Sequence, residues 1–265
     1  MRAVEWVAAM DLDLPAAAAR LAGLLAGAER TVILSGQRMG QTERVEARAQ
    51  GEWAERASLE NLMTRPRDFW AFYLPLAQEL AARQPGPGHR ALARLQSAGL
   101  VWAHVTQSVD RVHQRAGGEV AAEVYGNALS ARCERCGERY GLDEVAALVA
   151  DAPDGVPRCT TPGCGYPLRP SGTLWNEPLP AAAVTRAWEL GKQADLFVVL
   201  DSELRTAPMS LLPSVPLTHD AALVVVGDVA TQYDRYAALV ARTPSPPLLE
   251  ALLERLEPRP ERAAG

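Results

Sequence analysis

Long apolar runs are missing from this chain. None approaches the ~20 residues a membrane-crossing helix needs, so an aqueous protein is expected. Cysteine is scarce, with 4 in 265 residues, too few for a disulfide scaffold at this length. Positive charge is not in excess. The net charge is −5 with both signs dispersed, which argues against a nucleic-acid partner. The opening MRAVEWVAAMDLDLP has acidic residues where a secretory signal would be apolar, so export is not expected and the reducing cytoplasm is the default. No internal repeat is visible. Apolar material, by contrast, is ample: 48% of residues are hydrophobic, which excludes wholesale disorder and suits one large domain or one domain with a small insert.

The chain alternates between two periodicities. Residues 14–28 carry apolar side chains at helical spacing with Pro15 in the first turn, an amphipathic helix. TVILSG (31–36) is a β-branched run ending at glycine, the pattern of a buried parallel strand. Residues 37–50 give no clear signal. Helices are expected over 58–63 and 66–83, the second with an aromatic cluster at Phe69, Trp70, Phe72 and Tyr73 that is either core or an interface, core being the commoner case. QPGPG (84–88) is a turn, followed by a helix over 89–97 and the strand LVWAHV. After a cysteine-bracketed interruption come a helix over 181–193, the strand ADLFVVL, the strand ALVVVG, a helix near 231–240 and a last helix over 248–256. Residues from Glu257 on are expected to be a frayed tail. Helix–strand alternation of this kind predicts an α/β fold with a doubly wound parallel sheet.

All four cysteines gather in one Gly- and Pro-rich stretch, as Cys133-x-x-Cys136 and Cys159-x4-Cys164. Two such pairs can present four thiolates to one tetrahedral zinc at Zn–S distances of ~2.3 Å. An all-cysteine set leaves no open position, so the zinc would be structural. The alternatives are two disulfides or four unrelated thiols. The stretch has little apolar content outside 145–149, and a metal would supply the missing stability.

TQSVDRVHQRAG (106–117), EVYG (123–126), the four cysteines, LRPSGTLWNEPLP (168–180) and DLFVVLDSELRTAPMSLLP (195–213) occur in that order. This order resembles the sirtuins, the NAD-dependent protein deacylases, over nearly the whole chain. The resemblance implies a Rossmann-like core (1–39, 86–126 and 172–265), a helical insert (40–85) and a zinc-binding module (127–171). It also implies NAD as cofactor and a protein substrate. Ligands in such a sheet bind beyond the carboxyl ends of the strands, here Ser35, Val105, Leu200 and Val226.

The departures from the family pattern fall at those ends. Gly36 matches the first loop glycine, but Gln37 and Arg38 stand where Ala and Gly would let backbone approach a pyrophosphate. The family's Gly-Ile-Pro-x-Phe-Arg segment has no counterpart beyond Arg48, one place out of register. Gln107 and Asp110 match cofactor-binding positions, Ser108 replaces Asn, and His113 matches but reads as a packing or capping residue. The catalytic histidine position holds Tyr125, whose pKa near ~10 suits a general base poorly. Asp201-Ser202-Glu203 replaces Gly-Thr-Ser, Gly227 replaces Asn, and the bulk of Trp175 stands in the segment that lines the acyl-lysine channel. These changes predict a chain that has lost deacylation, argue against NAD, and leave a binding or structural role. The alternative is a divergent NAD-consuming enzyme: a deacylase, an ADP-ribosyltransferase or an NAD hydrolase. Arg38 either forms an ion pair with Asp201 or Glu203 across the converging loops, or all three are solvated loop charges.

Overall fold

The most apolar runs sit in the middle of a six-stranded parallel sheet. The computed structural model describes residues 12–39 and 52–256. The strands are β1 (Thr31–Ser35), β2 (Ala103–Thr106), β3 (Ala122–Glu123), β7 (Leu196–Leu200), β8 (Ala222–Val226) and β9 (Leu239–Ala241), in the order β3-β2-β1-β7-β8-β9. TVILS and LFVVL are buried at every position, as central strands covered on both faces must be. Alternate side chains feed two cores. Ile33, Val198, Leu200 and Val224 pack under helices Leu14–Gly27, Pro87–Ser97 and Ser245–Leu256. Val32, Leu34, Phe197 and Val225 pack under helix Ala181–Gln193. Asp13 starts the first helix by accepting from the Ala16 amide at 2.8 Å, with Pro15 in the opening turn. No helix among the described residues is long and apolar enough to cross a membrane.

Strand order reverses between β1 and β7, whose ends pair Ser35 with Leu200. A crevice opens beyond such a switch point. The chain needs a glycine there. The Gly36 amide donates to the Leu200 carbonyl at 2.7 Å, and a Cβ on Gly36 would lie 2.0 Å from the Asp201 carbonyl oxygen. Gly36→Ala is therefore expected to cost about 3 kcal/mol or more in urea unfolding, and a cost below ~1 kcal/mol would show that the two loops separate freely.

A second, antiparallel sheet, β5-β4-β6, is built from β4 (Ser130–Cys133), β5 (Arg139–Gly141) and β6 (Leu168–Pro170). Its apolar side chains are few, and it shares a core with helix Pro66–Ala82. Phe69, Trp70 and Tyr73 pack with Ala131, Tyr140, Val145 and Leu168. Phe69 stacks on Tyr73 with centroids 5.2 Å apart, and Trp70 meets both edge-on. Three of the four aromatics are therefore core rather than interface. Phe72 faces the other way, under the Arg56 guanidinium at 4.3 Å.

One predicted element is wrong. The helix near 231–240 is a single 3-10 turn, Asp234–Tyr236, followed by β9. The Thr231 amide and hydroxyl both donate to the Asp234 carboxylate, a real helix-start pattern. Beyond it, Leu239, Val240 and Ala241 pair with Val224, Val225 and Val226, and sheet pairing overrides the local signal. Arg48 and the tail from Glu257 lie outside the described residues.

Candidate cofactor cleft and metal site

The four cysteines converge. Their sulfur atoms all lie within 4.8 Å of one another, with Cys133–Cys164 and Cys136–Cys159 each at 3.5 Å. A tetrahedron with Zn–S bonds of ~2.3 Å has edges of ~3.8 Å, so the donor set fits a structural zinc. The thiols are free rather than bridged. Knuckle geometry comes from backbone: the Gly137 amide donates to the Cys133 carbonyl at 2.9 Å, with Gly137 at φ 80°, where only glycine sits without strain. The Tyr140 hydroxyl donates to the Cys159 sulfur at 3.2 Å, an outer-shell contact of the kind that orients a ligand.

Beyond the strand ends, two altered loops meet. The Arg38 Nη1 lies 3.2 Å from the Glu203 carboxylate and its Nη2 lies 3.3 Å from Asp228. Glu203 also pairs with Arg205 at 2.8 Å. Of the two readings the sequence left open, the ion pair across the loops is the one present, with Glu203 as the partner. Asp228, two residues past the end of β8, joins it unforeseen. Asp201 does something else. It takes a left-handed backbone, φ 50°, where the resemblance has glycine. Its carboxylate is buried and accepts from the Ser245 amide at 3.1 Å and the Ser245 hydroxyl at 2.5 Å. It thereby caps helix Ser245–Leu256 with an internal anion. Burial raises the Asp201 pKa above the usual carboxylate range, against the Ser245 hydrogen bonds that lower it.

In the next loop the candidate cofactor residues satisfy one another. The Ser202 hydroxyl donates to the Gln107 side chain at 2.7 Å. The Ser108 hydroxyl donates to Asp110 at 2.6 Å, and Asp110 also accepts from the Val112 amide at 3.1 Å, capping a one-turn helix that begins there. His113 is buried between His89, tilted against it, and His104, which it meets edge-on, and its Nε2 reaches the Ser35 hydroxyl at 3.1 Å. Burial holds the His104 pKa far below its ordinary value and lowers that of His113 to about 3.

Tyr125 follows β3 and is half-buried against the core under helix Ala181–Gln193. Burial raises its phenol pKa above the ordinary value of 10.0, so the side chain is protonated at neutral pH. Trp175 is 47% exposed, and its backbone bridges Ala57 and Leu59. Asn176 takes φ 64° at the glycine position of the resemblance, a conformation asparagine tolerates. Glu177 forms a bidentate pair with Arg169 at 2.5 and 2.6 Å. Burial opposes its ionisation, but the Arg169 and Leu174 contacts prevail and its pKa is lowered.

Sequence reasoning missed Asp228, Ser245, Arg169 and the column formed by His89, His104 and His113. Ser245 was findable, because serine before Pro246 at a helix start is a capping signal. Asp228 was findable as the charged residue just past a strand end. Arg169 carried no local signal.

The comparisons with known proteins concern this same arrangement. A model of the Sir2 family matches residues 41–208. NAD-dependent protein deacetylase 1 of Geobacillus kaustophilus is 37% identical over 224 residues, covering 82% of this chain and 88% of that protein. NAD-dependent protein deacetylase 1 of Pyrobaculum aerophilum is 32% identical over 211 residues, covering 78% and 81%. Among solved structures, Sir2Tm bound to a propionylated peptide matches with a TM-score of 0.78 and 26% identity, covering 89% of this chain and 97% of that one. A His-to-Tyr mutant of Sir2 with a p53 peptide and NAD matches with a TM-score of 0.75 and 27% identity, over 89% and 97%.

Proposed function

The chain belongs to the Sir2 family, and from that premise we propose that it no longer carries out NAD-dependent deacylation and acts instead as a binding protein for a protein or peptide partner. Tyr125 carries this reading. Aligned motifs place it where the family has its general base, and burial raises a phenol pKa that already lies above neutrality. A group that holds its proton at working pH cannot take one from the substrate.

The loss of the base does not by itself speak to NAD: the His-to-Tyr Sir2 structure names NAD among its components. What argues against NAD in this chain is the pair of altered loops. Arg38 ties Glu203 and Asp228 together, and Asp201 puts an anion at a helix start. The ion-paired side chains take up space a pyrophosphate would need, and the Asp201 carboxylate repels one by on the order of 1 kcal/mol. A peptide partner suits the similarity to Sir2 structures solved with peptides. In the same reading the four cysteines hold a structural zinc, residues 127–171 form the metal-binding module, 40–85 the helical insert, the remaining stretches the core, and the protein acts in the cytoplasm. The second reading, a divergent NAD-consuming enzyme, draws on buried Gln107 and Asp110 and on Glu177. Each of these is already engaged, with Ser202, Ser108 and Arg169.

Thermal unfolding with and without NAD separates the two. A ligand at 100 times its Kd stabilises by about 2.7 kcal/mol, a shift of roughly 5–10 °C for a domain of this size. No shift in millimolar NAD is expected, and a clear shift would favour the second reading.

A further inference from the structure

The cysteine site and the turn that carries Trp175 share one side chain, that of Arg169. It lies on β6 directly opposite Arg132 on β4, and like charges so placed repel each other. Glu134 sits between them, with its Oε1 2.8 Å from the Arg132 Nε and 3.7 Å from the Arg169 Nε. Glu134 is itself one of the two residues between Cys133 and Cys136, so its position follows the ion those thiolates would hold.

The Arg169 fork is spent on Glu177, at 2.5 and 2.6 Å. Both side chains are poorly exposed, at 11% and 15%, so breaking this pair would strand a charge away from water. Glu177 in turn closes the bend over residues 174–177. Its Oε2 accepts from the Leu174 amide at 3.0 Å, and its own amide donates to the Leu174 carbonyl at 3.2 Å. Asn176 holds its left-handed φ of 64° inside that bend. Trp175 stands beside it, with its amide donating to the Ala57 carbonyl at 3.1 Å and its carbonyl accepting from the Leu59 amide at 3.2 Å.

We propose that Arg169 is a positioning residue that couples the cysteine site to the placement of Trp175, through Glu134 on one side and Glu177 on the other. A change of ion alters the Cys133–Cys136 knuckle, moves Glu134 and unbalances the two facing arginines. The fork on which Glu177 and its bend rest then shifts. The contacts form one continuous chain of charges from the thiolates to the bend, the physical requirement for coupling between separate sites. The coupling rests on the zinc reading of the four cysteines and not on what docks in the cleft.

Exchanging zinc for cadmium, a larger ion that soft thiolates also hold, perturbs the knuckle without emptying it. The full chain is labelled with 5-fluorotryptophan, and the 19F resonance of Trp175 is identified by its loss in Trp175→Phe. Elemental analysis checks the loading. The Trp175 resonance is expected to differ between the zinc and cadmium forms. In Glu134→Gln, a half-exposed change that keeps all four cysteines, that difference is expected to vanish. A Glu134 that served stability alone would offset both forms equally and leave the difference in place. An ion-loaded chain whose Trp175 resonance is the same with zinc and cadmium, or whose difference survives Glu134→Gln, would overturn the coupling alone. A chain that takes up neither ion would overturn it together with the zinc reading.

Discussion

Chelating the zinc proposed for the cysteine cluster is expected to unfold the antiparallel sheet and the helix packed on it while leaving most of the parallel sheet formed. The segment cannot hold itself together. Its apolar residues are few, and it borrows Phe69, Trp70 and Tyr73 from helix Pro66–Ala82. Four thiolates whose sulfurs lie within 4.8 Å repel one another unless a cation sits among them. Structural zinc contributes roughly 10–16 kcal/mol of apparent binding free energy in zinc-finger peptides. Part of that is offset here by the borrowed core, so a loss of more than ~5 kcal/mol is a fair expectation. Cys133→Ser should behave as the chelated protein does. Near-UV circular dichroism, which reports the packing of Tyr140 and Trp70, should collapse while the far-UV signal of the sheet persists. Elemental analysis of protein purified without chelator should find one zinc per chain, and substantially less would contradict the assignment.

Mild acid is the second large expected effect. His104 and His113 are buried, and their folded-state pKa values are lowered, His113 to about 3. Desolvation is the main cause, with repulsion between neighbouring rings added to it. The nearby Asp110 carboxylate opposes the shift at His113 without cancelling it. Unfolded histidines take up protons below pH ~6.5, whereas these two do not until much lower pH. Stability is therefore greatest above pH ~6.5 and falls as pH falls towards 3, by up to ~1.4 kcal/mol per pH unit for each ring. Urea unfolding at pH 7.5, 6.5 and 5.5 reads this slope. His104→Val, whatever its own stability, should flatten it by up to half, and an unchanged slope would show that the column is not its source.

What the sequence disclosed, and what it hid, divides along physical lines. TVILS, LFVVL and ALVVV were legible because central parallel strands need unbroken β-branched runs on both faces. The cysteine cluster was legible because a tetrahedral ion demands paired ligands across short turns. The doubly wound core followed from the alternation and the motif order, although only four of its six strands were read: the two-residue β3 was missed and β9 was read as helix. Its three residues are too short to announce a strand, and Thr231 and Asp234 begin a helical turn that pairing with β8 then interrupts. At the site, charge identity was visible but direction was not. Asp201 and Glu203 are two residues apart, yet one turns inward to Ser245 and the other outward to Arg38, because Asp201 takes a left-handed backbone that local sequence does not reveal. The histidine column was hidden for a similar reason: His89, His104 and His113 come from three separate elements and meet only once the sheet and its helices are assembled.

The central claim is that Tyr125 ended the family's reaction in this chain. It is tested most directly by nicotinamide release from NAD with an acetyl-lysine peptide, measured beside the Geobacillus kaustophilus relative under the same conditions. The account predicts no release above the uncatalysed background from this chain at any pH between 6 and ~9. Multiple turnovers that Tyr125→Phe abolishes would contradict it, and would make Tyr125 a working acid or base.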